Sequence, residues 1–389
     1  MKFKKLVLVL LCAAFAAFAY CTENTPRRAE FKGFERGMGV GGWLTNYKRP
    51  QVLPDSEKFR ITVGDLEHFR SYITEADLKY IASLGCDHVR LGFDQIVVEE
   101  KPYRYRESAM GQIVDFVAWA KKHKLNVVLN LHKAVGNYCD ISQNVSLLDD
   151  AELQNRFVKM WVEMEKRFAN DGDVVFELLN EVLNVPPQKW NALAEKTVAA
   201  IREKNPTRKI IVGSTSWNSA YRLKDLKIFD DPNVIYTFHF YEPFVFTHQR
   251  GVLQAKPLAY NRVMRYPSDI APYAEFAEFC GQKFPFSRFD KMDKRVLRAM
   301  LSPAIEFVKK NPDKILWCGE FGTIRHAPLQ SRENWLNDVV SILKENGIPY
   351  CVWNYLSTPN DGNRFSLVDD DNRKILSPRL AKIIVGEVE

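Results

Sequence analysis

The sequence has little that would announce a function at a glance. Its seven cysteines (Cys12, Cys21, Cys86, Cys139, Cys280, Cys318 and Cys351) show none of the paired spacings that hold a zinc ion. Lysine and arginine are spread along the chain. Although the formal net charge is +7, no basic run is dense enough to grip nucleic acid, and the excess reads as solubility. No glycine-rich phosphate loop follows the first β-prone run, which counts against a dinucleotide-binding sheet. Beyond the N-terminal segment, no apolar run is long enough to cross a bilayer. With 46% apolar and 26% charged residues, no long disordered tract is indicated either. A length of 389 residues suits two or three average domains or one large α/β barrel.

What is present begins at the N-terminus. Lys2, Lys4 and Lys5 precede an apolar run from Leu6 to Phe18 that is too short to span a membrane and has the layout of a secretory signal peptide. Residues 1–20 are therefore expected to be removed, and the chain to be secreted or periplasmic. Ala17-Phe18-Ala19 fits a small-x-small cleavage site. Cys21 is the alternative, as the lipidated first residue of a protein tethered to the cell envelope, although Phe18 and Tyr20 match poorly the residues that precede such a cysteine. Loss of the three leader lysines lowers the net charge from +7 to +4. Residues 21–33 read as a polar leader. Cys139 and Cys280 fall in expected loops, where an oxidising compartment would let them pair, while Cys318 and Cys351 lie in apolar runs and read as buried thiols.

From residue 34 to 389 one pattern repeats: a short β-prone run, a loop, an amphipathic helix, then the next run. The expected strands are Gly37 to Leu44, His88 to Phe93, Asn126 to Leu131, Val174 to Leu179, Lys209 to Gly213, Val234 to Phe238, Ile315 to Gly319 and Pro349 to Asn354. Leu153, Phe157, Met160, Trp161, Met164 and Phe168 recur at helical spacing and mark the buried face of one helix. Thr74 and Asp77 resemble a capping box at the start of another. Further helices are expected at about Glu107 to His123, Pro187 to Lys204, Lys291 to Lys310, Arg332 to Glu345 and Pro378 to Val385, with a poorly defined one between the fifth and sixth strands. Eight such units predict an α/β fold, a single (β/α)8 TIM barrel. The longest connection, between strands 6 and 7, predicts an insertion at Pro243 to Arg288 that packs as structure beside the barrel mouth.

Active sites of such barrels lie at the carboxyl ends of the strands. There the sequence places Arg90 and Asp94, His132, Asn180 and Glu181, His239 and Tyr241, Glu320, and Trp353 and Asn354. Any one of these alone is more often a solvated or hydrogen-bonded structural residue. Their recurrence at the same end of strand after strand is what singles them out. Two carboxylates across a sugar-sized gap suit glycosidic cleavage, one giving a proton to the leaving oxygen and the other attacking the anomeric carbon or activating water. Arg90 beside one of them would keep it anionic. Trp43, Trp217 and Trp353 offer flat faces to a pyranose ring.

The set Arg90, His132, Asn180-Glu181, His239, Tyr241, Glu320 and Trp353, in this order, resembles glycoside hydrolase family 5, the cellulase family among the retaining (β/α)8 glycosidases. The resemblance runs from about Phe34 to Tyr355 and rests most on Asn180-Glu181 together with Gly319-Glu320-Phe321-Gly322. It implies that Glu181 is the general acid and base and that Glu320 is the nucleophile of a covalent glycosyl-enzyme. It also implies that Arg90 and Tyr241 orient Glu320, that His239 supports Glu181 and that Asn180 holds the 2-hydroxyl. His132 and Trp353 would line the subsite of the scissile sugar. Retention of configuration and no metal or organic cofactor belong to the same implication.

The expected activity is that of an exported endo-β-1,4-glucanase, a monomer whose partner is a β-linked polysaccharide or oligosaccharide. A β-1,3-glucanase, exo- or endo-acting, a β-mannanase or a β-glucosidase are alternatives on the same scaffold. Gly41-Gly42-Trp43-Leu44 slightly resembles the exo-β-1,3-glucanase branch. A non-catalytic carbohydrate-binding barrel would be expected to have lost a carboxylate, and both are present. Asn144-Val145-Ser146 matches a glycosylation acceptor. Asp369-Asp370-Asp371-Asn372 lacks the spaced ligands and glycine of a calcium loop and reads as an acidic turn, and Asp361-Gly362-Asn363 reads as a turn within reach of substrate.

Overall fold

The computed structural model describes residues 30–48, 60–138, 145–253, 255–358 and 361–388. The expected signal segment, Cys21, Cys139 and Asn144 lie outside the described residues. Eight parallel strands close into a barrel: β1 (Arg36–Leu44), β2 (His88–Asp94), β3 (Asn126–Lys133), β4 (Val174–Glu177), β5 (Ile210–Gly213), β6 (Val234–Phe240), β7 (Leu316–Phe321) and β8 (Tyr350–Val352). Neighbours in the sequence are neighbours in the ring, and β8 closes on β1 through the Arg36–Tyr350, Gly37–Cys351 and Met38–Val352 pairs.

The outer layer holds α1 (Glu75–Ser83), α2 (Glu107–Lys122), α3 (Ala151–Phe168), α4 (Pro187–Arg202), α5 (Ser302–Lys310), α6 (Leu329–Glu345) and α7 (Pro378–Ile384). The α3 face foreseen from its spacing is buried at Phe157, Met160, Trp161, Met164 and Phe168. At α1 the Asp77 carboxylate accepts from Thr74 N at 2.8 Å, as a capping box requires, and also from Arg373 and Tyr355, which ties the last barrel loop to the first helix. Between β5 and β6 a 3-10 turn, Ala220–Asp225, stands where a helix would. The single helix expected from Lys291 to Lys310 is broken. Lys291–Met292 pairs with Ser268–Asp269, and the remainder splits into Lys294–Met300 and α5. Pro303 sits in the first turn of α5, where its missing N–H and its ring stop the preceding helix from continuing.

The insertion divides in two. Its first part stays at the mouth, where Ile324 N donates to Thr247 O at 2.9 Å and Leu253 N to Asn363 Oδ1 at 3.0 Å. Asn363 therefore braces a loop rather than pointing at substrate. The second part packs outside the barrel, with Tyr266 and Tyr273 buried and Tyr266 Oη donating to Asp338 of α6 at 2.6 Å. The acidic turn is as expected: Asp369 Oδ1 accepts from Asp371 N and Asn372 N, and Asp370 pairs with Arg325.

Alternation along the strands positions the site. Successive side chains on a strand point to opposite faces, so every second residue enters the barrel. Val128, Val175, Ile211, Ile235, Trp317 and Cys351 form an apolar floor, sealed from below by Phe31 and Phe34, whose rings stack at 4.6 Å. Phe31 lies in the stretch read as a polar leader, but it is buried and belongs to the barrel. Two residues further along the strands come Asn130, Glu177 and Thr237, in a polar layer with Arg90 of β2, all fully buried. Two further again are His132 and His239, level with Glu320 and Trp353. A second, larger cluster fills the space between strands and helices, each large apolar side chain there contributing roughly 1.5–3 kcal/mol.

Candidate active site

Glu320 and Glu181 reach the mouth by different routes. β7 does not end before Glu320, as the apolar run suggested, but carries it within the strand. Between Cys318 and Glu320 the register against β6 slips, Cys318 facing Phe238 and Glu320 facing His239. A bulge of this kind re-aims a side chain, and glycine serves it because a Cβ on Gly319 would come within 2.6 Å of Thr237 Oγ1. Conversely β4 stops at Glu177, so Glu181 stands on the loop beyond and not at a strand end. Asn180 N donates to Leu131 O at 2.8 Å and anchors that loop to β3.

The surroundings of Glu320 are dense. Arg90 Nη1 donates to its Oε1 at 2.5 Å and Tyr241 Oη to its Oε2 at 2.8 Å, while His239 Nδ1 lies 3.7 Å from Oε2. Burial pushes the carboxyl up, but the nearby His239 ring and the Arg90 cation, with hydrogen bonds from Tyr241 and Arg90, outweigh it and hold the group below the usual carboxylate range. The same burial, next to Glu320 and Glu181, drives Tyr241 well above the usual phenol range, so it stays a donor. Arg90 is raised in spite of its own burial, chiefly by Glu177 and Glu320, and is a permanent cation.

Glu181 is less enclosed, its side chain 21% exposed against 5% for Glu320. His239 Nδ1 stands 3.0 Å from Glu181 Oε1, and Asn218 Nδ2 lies 3.2 Å from the other ring nitrogen. Asn218 ends a turn in which Ser216, Trp217 and Asn218 all take positive φ (57°, 60° and 53°). Left-handed backbone costs about 1–2 kcal/mol per non-glycine residue. Here it is held by Ser216 N on Leu183 O and Trp217 N on Val182 O, bonds to the loop that carries Glu181. The turn leaves Trp217 37% exposed.

Opposite lies His132, whose ring stacks on Trp353 at 5.5 Å and 13°. Burial, with Lys133 and Arg90 nearby, keeps it neutral, well below the usual imidazole range. Its Nδ1 is 2.9 Å from Asn130 Oδ1, so Nδ1 carries the proton and Nε2 is an acceptor. Trp353 lies against β1, where a Cβ on Gly39 or Gly41 would come within 2.7 or 2.6 Å of its ring. Those glycines are what admit the indole.

Of the residues singled out in the sequence, Arg90, His132, Asn180, Glu181, His239, Tyr241, Glu320 and Trp353 meet around one cleft, and Trp217 is exposed on the turn bonded to the loop that carries Glu181. Trp43 does not join them. It is buried, its Nε1 donates to Phe69 O at 2.7 Å, and its ring packs 5.7 Å from Phe116 of α2. The β1–β2 register slips between Val40 and Leu44, with Gly42 at φ +74°, and the strand turns Trp43 into the helix layer. Three buried residues went unremarked in the sequence: Glu177, Asn130 and Asn218. An acid inside a short apolar run was a signal for Glu177; nothing local marked Asn218.

Among the described residues, Glu181, His239 and Glu320 are the group whose donor atoms, all within 4.8 Å of one another, have the composition of a metal site. The Arg90 guanidinium on Glu320 opposes a further cation there. The same distance puts one oxygen of each carboxylate within 4.8 Å of the other, close enough to act on one glycosidic bond.

The family model for cellulase, glycosyl hydrolase family 5, matches residues 53–358. This chain belongs to glycosyl hydrolase family 5. As a family 5 member it is a glycoside hydrolase. It is 37% identical over 357 residues to Endoglucanase C of Acetivibrio thermocellus, covering 90% of this chain and 98% of the relative. It is 29% identical to Cellodextrinase A of Ruminococcus flavefaciens, covering 82% and 84% of the two chains. The fold is that of the Thermotoga maritima endoglucanase Cel5A, with a TM-score of 0.65 and 24% identity over 91% of this chain and 97% of the other.

Proposed function

We propose that this family 5 hydrolase is an exported endo-β-1,4-glucanase that cleaves by double displacement with retention of configuration. The observation that carries the mechanism is the placing of the two carboxylates, an oxygen of each within 4.8 Å of the other. Retaining glycosidases hold their carboxyl groups about 5–5.5 Å apart and inverting ones about 6.5–9.5 Å, and so near an approach of single oxygens supports the closer, retaining arrangement. Endoglucanase C, matched over 98% of its length, supports endo action on a glucan, and the cellulase model supports the β-1,4 linkage.

Glu320, kept anionic by Arg90 and Tyr241, attacks the anomeric carbon while Glu181 protonates the departing oxygen. The ester so formed is then opened by a water that Glu181 deprotonates. His239 steadies Glu181 between the two roles. Asn180, whose Oδ1 accepts from Arg90 Nη2 at 2.7 Å, has its amide nitrogen as the donor for the 2-hydroxyl. His132 Nε2, which faces Asn46 Nδ2 at 3.4 Å, accepts from a hydroxyl that displaces this long contact, the Trp353 face carries the sugar on one side of the scissile bond, and Trp217 on the turn bonded to the Glu181 loop carries it on the other. Lys2, Lys4 and Lys5 before an apolar run support export, and mass spectrometry of the mature chain would find it starting near Tyr20 or at a lipid-modified Cys21.

Purified protein should release reducing ends from a soluble β-1,4-glucan with internal cuts and with the β-anomer appearing first by NMR. Initial formation of the α-anomer would overturn the mechanism. Turnover of only β-1,3-glucan, mannan or xylan in a parallel panel would overturn the substrate.

A further inference from the structure

A third carboxylate lies below the two described, and no step of the hydrolysis uses it. Glu177 ends β4, is fully buried, and faces an equally buried Arg90. Arg90 Nε donates to Glu177 Oε2 at 2.6 Å and Nη2 to Oε1 at 2.9 Å, a two-pronged pairing that fixes the plane of the guanidinium. The rest of the fork points upward, Nη1 to Glu320 Oε1 at 2.5 Å and Nη2 to Asn180 Oδ1 at 2.7 Å. One cation is thus divided between two anions, and its aim at the upper one is set by the lower.

We propose that Glu177 is a positioning residue for the nucleophile: it aims Arg90 at Glu320 and Asn180, and it withholds part of the guanidinium charge so that Glu320 stays basic enough to attack. The physical reason lies in what changes along the reaction. Negative charge leaves Glu320 as its bond to the anomeric carbon forms, so any stabilisation of the free carboxylate that fades in the transition state adds to the barrier. An unshared guanidinium at this distance would deepen that well, an opposite charge lowering a carboxyl by about 1–3 pH units. Sharing Arg90 keeps the orientation and moderates the charge. The inference rests on Glu320 being the nucleophile.

Among the described residues, the groups around Glu320 are Arg90 from β2, Glu177 and Glu181 from β4 and its loop, His239 and Tyr241 from β6 and just beyond, Cys318 from β7 and Cys351 from β8, with His132 of β3 near Arg90 and His239. Burial keeps both thiols and Tyr241 protonated and His132 neutral. Removing the Glu177 charge therefore leaves the surroundings of Glu320 more positive, and the acid limb of kcat/KM, which requires Glu320 ionised, moves to lower pH.

The test is Glu177→Gln in the full chain, with kcat, KM and kcat/KM measured across the acid range. The expected result is a folded protein whose kcat falls about tenfold to a hundredfold, the size of a misaimed catalytic group, with KM little changed and the acid limb displaced downward. Wild-type kcat, or a fall in kcat with the limb unmoved, overturns the proposal, since a merely structural residue would leave the limb in place. Loss of one partner of a buried pair also threatens folding. Should Glu177→Gln not fold, Glu177→Asp decides: it keeps the charge but withdraws it from Nε, and a kcat about tenfold lower at wild-type KM supports the proposal while wild-type kcat overturns it. Glu320→Ala run in parallel separates the two readings, because activity in that variant would remove Glu320 as nucleophile, whatever Glu177 does.

Discussion

Glu320 and Glu181 are the same residue type on two sides of one cleft, and their settings differ in nearly every respect. Glu320 lies within a strand, is almost sealed from solvent, and receives hydrogen bonds from a permanent cation and a phenol. Glu181 lies on a loop, is partly open to solvent, and faces one imidazole. A rigid, cation-bound carboxylate suits an atom that must attack along a fixed line. A more open one beside a histidine suits a group that must give up a proton and take one back. On the proposed mechanism, environment and not residue type assigns the two parts.

The largest effect expected comes from removing the Glu320 side of this comparison. Glu320→Ala should lose activity by on the order of 10⁴-fold or more on every substrate, with added azide restoring part of it and giving the α-linked product. Wild-type turnover would dismiss the contrast outright. Removing the other side should be selective. Glu181→Ala should cost about a hundredfold to ten-thousandfold on a natural β-glucan, the usual worth of general acid catalysis, and far less in the first step on an aryl glycoside whose leaving group needs no proton. Equal losses on both substrates would mean the two carboxylates do not differ as described.

The same pair shows how far the sequence was legible. The eight short apolar runs and the helical spacing between them were enough for the barrel, because which segments are buried is written in residue type. The polar residues after those runs were legible for the same reason. What stayed hidden depended on backbone irregularity. The bulge at Gly319 that puts Glu320 inside β7, and the turn after Gly42 that sends Trp43 to the helix layer, both depart from a regular strand in a way that the residue types of an apolar run do not mark. The left-handed turn at residues 216–218 is held by bonds from a distant loop, so nothing local announced Asn218. Glu177 was visible as an acid in an apolar run, but its partner is far away in the chain and only the closed barrel brings them together.

A smaller change tests the charge balance at Glu320 from the side opposite Glu177. Tyr241→Phe removes the hydrogen bond that holds Glu320 in line with the anomeric carbon, so kcat/KM should fall about tenfold to a hundredfold, the cost of a misplaced reacting group. That bond favours the ionised carboxyl and lowers its pKa. Without it Glu320 takes up a proton at higher pH, so activity that wild type retains in mild acid is lost earlier and the acid limb moves up. A limb that stays put, or moves down as expected for Glu177→Gln, would show that Tyr241 does not stabilise the anion.

The smallest effect on turnover separates two tryptophans that the sequence could not tell apart. Trp217 is partly exposed on the turn bonded to the Glu181 loop, where on the proposed mechanism loss of one stacking face worth about 1 kcal/mol should raise KM several-fold in Trp217→Ala and leave the melting temperature alone. Trp43 is sealed between β1 and the helices, where truncation leaves a cavity and strands Phe69 O, so Trp43→Ala should cost about 3–5 kcal/mol of stability with KM unchanged in whatever remains folded. Paired melting and kinetic measurements on the two variants decide the assignment. A KM effect at Trp43 would put that indole back in the cleft, and a fall in melting temperature at Trp217 without one would make it a scaffold residue instead.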